Sequence, residues 1–482
     1  MSTEPGGSAT RAGRTRRRRS RAFLVTFTVV VAALAALGLA GAAAGVASGP
    51  RISSVDVDPA AAVAASGSRL ILTTSASLEE VDAAQISVSP ATPFNVDTSG
   101  RSVGLRFGLP LHDDTEYTVE FSDVQSLGGG PTANLAYTFR TPPIEVFLLQ
   151  RTSSGDTVFR TDLTGEEAVP VFSADHIEDY RATSSHLVMS VRDGDATQLV
   201  VTDLDGGSER QLALPGDGYV SALQSADRGE LIGYTFSDAD LSAAGGTESA
   251  LFTASLKETE ADAAPTQVVV PGAEPRVAEW RFVPDTESIL LLTFDGSLLL
   301  TGSSGESATA LGSAISIDGT ARGSAAVDGA DAAPQAIVTR PDGLDVIDLA
   351  DASETPLVQP DRNLGLAGPV LPVPGGGTVR TSAPLGANGL PAGATISSVA
   401  HDGATRVLME VPAADAVLQT CVSPSGRYAA VLIAPDAVQN PYDTYRMPIP
   451  GKVETHIVEI ADGAEVVKLN GFDISWCRVP PR

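Results

Sequence analysis

The chain is 482 residues long, enough for two or three domains that each bury a core of their own. Its net charge is −27, and because residues 1–21 hold seven Arg and one Glu, everything after them stands at −33. An acidic body argues against nucleic acid as its partner, since phosphate would be repelled, and two cysteines with five scattered histidines show no metal-ligand spacing, so no cofactor is expected.

The arginine cluster from Arg11 to Arg21 precedes an uncharged, mostly apolar run, Ala22 to Ala47. As a helix it would reach roughly 39 Å, against a hydrocarbon core of about 30 Å. The flanking arginines set its direction by the positive-inside rule. The reading is a cytoplasmic tail over 1–21, a single transmembrane helix (signal anchor) over 22–48, and the rest of the chain outside the cell membrane. The alternative is a cleaved signal peptide, with Ala42-Ala43-Ala44 as its processing site and a secreted product.

From 51 to 143 the pattern becomes short alternating runs: Val55–Val57, Leu70–Leu72, Ile86–Val88, Val103–Leu105, Tyr117–Phe121 and Tyr137–Phe139. Turn residues such as Pro59, Ser66-Gly67 and Ser99-Gly100 separate them. About seven strands in such a length is the count of an immunoglobulin-like β-sandwich. Val55-Asp56-Val57-Asp58-Pro59-Ala60, Leu111 through Phe121 and the closing Tyr137-Thr138-Phe139-Arg140-Thr141 together resemble the bacterial Ig-like domains named after the surface-layer protein SbsA. That resemblance implies a spacer or adhesive module, and Ser126-Leu127-Gly128-Gly129 departs from the family phrase before the last strand, so no ligand is carried over. Gly100-Arg101-Ser102-Val103-Gly104 has the form of a nucleophile elbow, but no helix follows Ser102 and the motif needs one.

Residues 144–482 repeat. Thr161-Asp162-Leu163-Thr164-Gly165 is echoed by Thr202-Asp203-Leu204-Asp205-Gly206, and more loosely near Leu256, Leu349, Asp402 and Asp462. A second phrase is clearest at Cys421-Val422-Ser423-Pro424-Ser425-Gly426-Arg427-Tyr428. Four short strands in a period of about 40–50 residues mark a propeller blade, whose sheet cannot bury both faces unless neighbours pack against it. The Val-Ser-Pro-Ser-Gly-Arg phrase resembles the TolB-type and WD-repeat-like β-propellers of bacterial envelopes. With that phrase as a ruler, second strands begin near Val146, Leu187, Leu231, Ile289, Ala336, Val379 and Tyr428, making seven blades over 144–482. The first blade lacks an innermost strand, and Phe472 to Cys477 is expected to supply it and close the ring. The chain is therefore read as all-β beyond its anchor.

Cys421 and Cys477 sit one residue before and one after the Trp position of the blade phrase, filled by Val422 and Trp476. In period-two strands those offsets point to the same face, so a disulfide across the closure is expected. No catalytic residue is identified. Residues 440–450 interrupt the last blade and concentrate aromatics, and long loops on rigid scaffolds often bind, so Tyr442, Tyr445, Arg446 and Met447 are the expected partner contacts. The functional expectation is a membrane-anchored envelope protein whose propeller binds another envelope protein or a wall polymer. Its competitor is a hydrolase or lyase with a site at the central channel, which would need His, Asp and Arg converging there.

Overall fold

The computed structural model describes residues 26–36, 49–194, 196–242, 246–260, 263–323 and 333–481. Residues 26–36 are helical with every side chain exposed, Phe27, Val29 and Leu34 among them. That stretch is about 16 Å long, and no helix among the described residues is long and apolar enough to cross a membrane. The remainder of the expected 22–48 span, and all of the 1–21 tail, lie outside the described residues.

Seven strands between Ile52 and Arg140 form two sheets. One runs in the order Ile52–Val57, Arg69–Thr74, Ser102–Phe107, Phe94–Ser99; the other is Ile86–Ser89, Glu116–Val124, Ala133–Arg140. Alternate residues of both point into one core, with Leu70, Leu72, Val103, Leu105, Tyr117, Val119 and Phe121 almost fully buried. Two features differ from the sequence reading. Phe94–Ser99 is a strand that the mixed polar pattern of its residues hid. Pro59 opens a short helix, Pro59–Ala64, instead of a turn, because Asp58 accepts from the amides of Ala60 and Ala61 while Pro59 has no amide to satisfy. Ser102 lies in the hairpin joining Phe94–Ser99 to Ser102–Phe107 and shares a 3.0 Å hydrogen bond with Thr73, so the elbow-like motif is plain strand.

Among the described residues from Glu145 onward come seven more antiparallel sheets, six of four strands and the first of three. Their second strands are Glu145–Thr152, His186–Asp193, Leu231–Asp238, Ile289–Thr293, Pro334–Arg340, Thr378–Ala383 and Tyr428–Ala434. Seven sheets in a row would share six interfaces; this chain has a seventh. Leu149 and Val158 meet Leu187 and Met189. Leu199 and Leu212 meet Ile232 and Phe252. Leu251 and Val268 meet Trp280 and Leu291, and Leu292 and Leu298 meet Ile317 and Val338. Ile337 and Leu357 meet Val370, and Ile396 and Leu408 meet Val431 and Ile433. Tyr428, Ile457 and Leu469 of the last sheet then meet Val146 and Leu148 of the first, closing the ring. The packing is tight enough that a Cβ on Gly233 would come within 2.6 Å of the Trp280 indole.

The closing segment departs from a full strand. Phe472 exchanges backbone hydrogen bonds with Leu149 at 3.0 and 2.9 Å, and Ser475 donates to the Phe147 carbonyl at 3.0 Å. Asp473 between them has φ 54°, which breaks the extended path, and the chain turns at Ser475-Trp476. Cys477 nevertheless reaches Cys421 at the end of Ala416–Val422, with Cα atoms 5.4 Å apart, and the two form a disulfide. Beyond it, Val479 accepts from Gln419 Nε2 at 2.6 Å and Arg478 pairs with Asp227 at 3.0 Å, so the C-terminal residues stretch from the seventh sheet to a loop of the third.

Candidate interaction face

Antiparallel strands give the ring two unlike ends. The near end carries the connections from first to second strands and from third to fourth. The far end carries those from second to third strands and from each fourth strand to the next sheet. The two-sheet module sits on the near end. Arg427, in the first-to-second connection of the seventh sheet, donates to the Asp113 carbonyl at 2.8 Å and to Thr115 Oγ1 at 3.3 Å, while its Nε holds Glu459 at 3.1 Å. Ser66 hydrogen-bonds to Asp285 in the same connection of the fourth sheet, where Arg228 and Arg322 also pair. Arg427→Ala is expected to free the module, seen as faster proteolytic cutting within 141–144 while the ring keeps its thermal midpoint. Equal cutting rates would show that Arg427 does not hold the module.

Large exposed apolar side chains of the ring fall into two sets. Val169, Val269, Val358, Val407 and Val466 lie on or just past outermost strands. The others belong to the far end: Leu241, Phe294 and Ile315, then Leu385, Leu390, Val438 and Tyr442 in connections of the third to seventh sheets, with Leu366 opening the sixth. Val438 is 91% exposed. The far-end connections at 384–393 and 435–453 are far longer than a hairpin requires, and each is pinned by its own bridge, Leu385 to Pro391 and Tyr442 to Pro450.

The 435–453 loop is built as a rigid strap. Asn440 is buried and ties its base, donating to the carbonyls of Pro435 and Lys452 at 3.1 and 2.7 Å and accepting from the Lys452 amide at 3.0 Å. Asp443 accepts from the amides of Tyr445 and Ile449 and pairs with Arg151 at 2.8 Å. The four residues expected as contacts divide. Tyr445 turns inward: its ring stacks on His176 at 4.5 Å and under Arg151 at 3.8 Å, and its hydroxyl donates to Asp156 at 2.8 Å. Burial raises the carboxyl of Asp156 and the hydroxyl of Tyr445 above their usual ranges. Met447 lends its carbonyl to Arg151 at 3.1 Å. Arg446 remains exposed but lies over Tyr219 at 3.3 Å, with its amide on Glu178 at 3.1 Å. Tyr442 alone points outward, 62% exposed.

Inside the ring, the structure gathers a polar cluster that no stretch of sequence displays. Arg181 of Ile177–Ala182 lies 2.9 Å from Asp179 and 2.5 Å from Asp473 of the closing segment, and Tyr180 donates to the Asp473 carbonyl at 2.7 Å. Every first strand that precedes a second strand carries a bulge, which re-aims side chains such as Glu178 and Asp318. Desolvation pushes the Asp179 carboxyl up to about 8, the Arg181 cation opposes it, and the Asp473 charge adds to it. Asp179, Arg181 and Asp473 are each no more than 4% exposed, so a substrate would have to unpack the ring to reach them. Among the described residues, no group of His, Cys, Asp and Glu is arranged to hold a metal ion; His456 is taken by Glu465 at 2.8 Å.

No family model matches the chain and no curated protein matches it. Among solved structures, the chain is similar to a prolyl endopeptidase at 10% identity and TM-score 0.46, covering 80% of this chain and 50% of that one. TolB from Acinetobacter baumannii is 10% identical over 83% of this chain and 80% of its own, at TM-score 0.35. The β-propeller domain of Swd1 from Myceliophteria thermophila is 12% identical over 63% of this chain and 89% of its own, at TM-score 0.38. TM-scores below 0.5 decide nothing about activity or ligand. The class is set by the molecule itself: an all-β chain whose seven sheets close into a propeller with a two-sheet module on its near end.

Proposed function

We propose that this is a membrane-anchored, extracytoplasmic binding protein of the cell envelope, its propeller presenting the far end to an envelope protein or wall polymer. Residues 22–48 would tether the chain, and the two-sheet module would space the ring from the membrane. One observation carries the reading: the module and the C-terminal residues occupy the near end, which leaves the far end as the free surface, and the exposed apolar loop residues lie there. Buried as it is, the Asp179–Arg181–Asp473 cluster is better explained as the lock of the second sheet to the closing segment than as a channel active site.

The test places a photo-crosslinking residue at 442, at 390 or at 167 of the full chain in its native envelope. Crosslinks to envelope material are expected from 442 and 390, in the membrane fraction, and not from 167 on the near end. Crosslinking from 167 alone, or recovery of a mature chain starting near Gly45 in the medium, overturns the reading.

A further inference from the structure

We infer that the far end of the propeller binds a basic, apolar polypeptide segment, one in which lysine or arginine recurs between large aliphatic side chains. The inference rests on the proposed function only in needing that end to be free. Its ground is the pairing of exposed apolar side chains with carboxylates along the rim. Leu241 follows Asp240, Phe294 precedes Asp295, and Val438 lies two residues from Asp436. Apolar side chains alone would suit many partners; carboxylates between them select for cations and against anionic polymers.

Two of these carboxylates are held ionised by their own loops. Asp240 Oδ1 accepts from the Ser242 hydroxyl at 2.6 Å and its amide at 3.0 Å. Asp295 Oδ1 accepts from Thr293 Oγ1 at 2.5 Å and the Ser297 amide at 3.0 Å. These hydrogen bonds hold both carboxyls below their ordinary range, and both residues are exposed. Two cations of this end are already engaged: Arg276 pairs with Glu274 at 2.6 Å and Glu248 at 3.2 Å, and Arg446 lies on Tyr219. Lys452, in the same loop as Arg446, is exposed. A second copy of the chain would meet this rim with the same sign of charge, so an isologous dimer is disfavoured.

The probe is a fluorescein-labelled leucine–lysine peptide, titrated into the full chain in detergent and followed by anisotropy. Saturable binding is expected, weakened about tenfold when salt is raised from 0.1 M to 1 M, which shrinks the Debye length from about 10 to about 3 Å. V438S/Y442S and D240N/D295N should each weaken it about tenfold; V466S, on the outer rim, should not. A leucine–glutamate peptide or a teichoic-acid polymer binding as well as the leucine–lysine peptide overturns the inference, as does a loss-free V438S/Y442S. Binding that emerges only after removal of residues 1–21 would assign the face to the chain's own arginine-rich tail and overturns it too. If the leucine–lysine peptide fails while residue 442 still crosslinks in the envelope, the partner chemistry falls and the proposed function stands.

Discussion

A chain carrying Ser at both 421 and 477 is expected to unfold at markedly lower urea than the parent, with about 4 kcal/mol lost from the stability of the ring. The bridge spans a sequence separation of 56 residues, and most of its effect lies in the unfolded chain, whose freedom it restricts. In the folded state it is the covalent one among several restraints on the closing segment. Phe472 contributes a single bridge to the first sheet, Asp473 pairs with Arg181 of the second, and Ser475, Arg478 and Val479 add isolated hydrogen bonds. Once Cys477 is released, the segment that covers the seventh interface is left held to the seventh sheet by the Gln419–Val479 hydrogen bond and the stacking of Trp476 on Tyr428. Fraying there exposes Val146, Leu148 and Tyr428 together. Urea titration of parent, double mutant and reduced parent tests this. Superimposable curves would mean that the closing segment is held by packing alone.

Arg181→Met should cost about 3–5 kcal/mol, because it strands two buried carboxylates without their cation. Adding Asp473→Asn to that variant should recover much of the loss, since only Asp179 would remain and its desolvated carboxyl prefers the proton. If the double variant is no more stable than R181M, the cation was not the reason for the loss. The same cluster sets a pH dependence. Asp179 has its folded value raised to about 8, far above the 3.8 of the free side chain. Its contribution is therefore complete below about pH 4 and is lost as pH rises through about 8. His112 is held below its ordinary 6.5, chiefly by burial, and works in the opposite direction, but only at pH values under that figure. Between pH 7 and 8.5 the decline belongs to the coupled Asp179–Asp473 pair, since burial raises the Asp473 carboxyl as well. The parent should lose stability across that window, and D179N should lose less.

Much of the fold is legible in the sequence, because it rests on short-range periodicity. The ruler phrase places a second strand near Val146, Leu187, Leu231, Ile289, Ala336, Val379 and Tyr428, and each falls at or within two residues of an observed strand start. Strand alternation and turn chemistry are local, so a single chain reveals them. Cys421 and Cys477 could be paired on paper because their offsets refer to the same repeat. Phe94–Ser99 was hidden by a polar face, and Pro59–Ala64 by a proline that serves a helix start as readily as a turn.

What the sequence by itself determined, then, is a basic stub, an apolar run, and a body of short strands repeating often enough to need seven sheets. Only the tertiary structure decided which end of the ring the module covers, and hence that Leu241, Phe294, Leu390, Val438 and Tyr442 share a free surface. It also turned Tyr445 inward onto Asp156 and brought Arg181 to Asp473 across 292 residues. Neither contact has a local signature. Both depend on the chain's last strand-length segment returning to its first sheet, and ring closure is a property of all seven interfaces at once, not of any stretch that can be read alone.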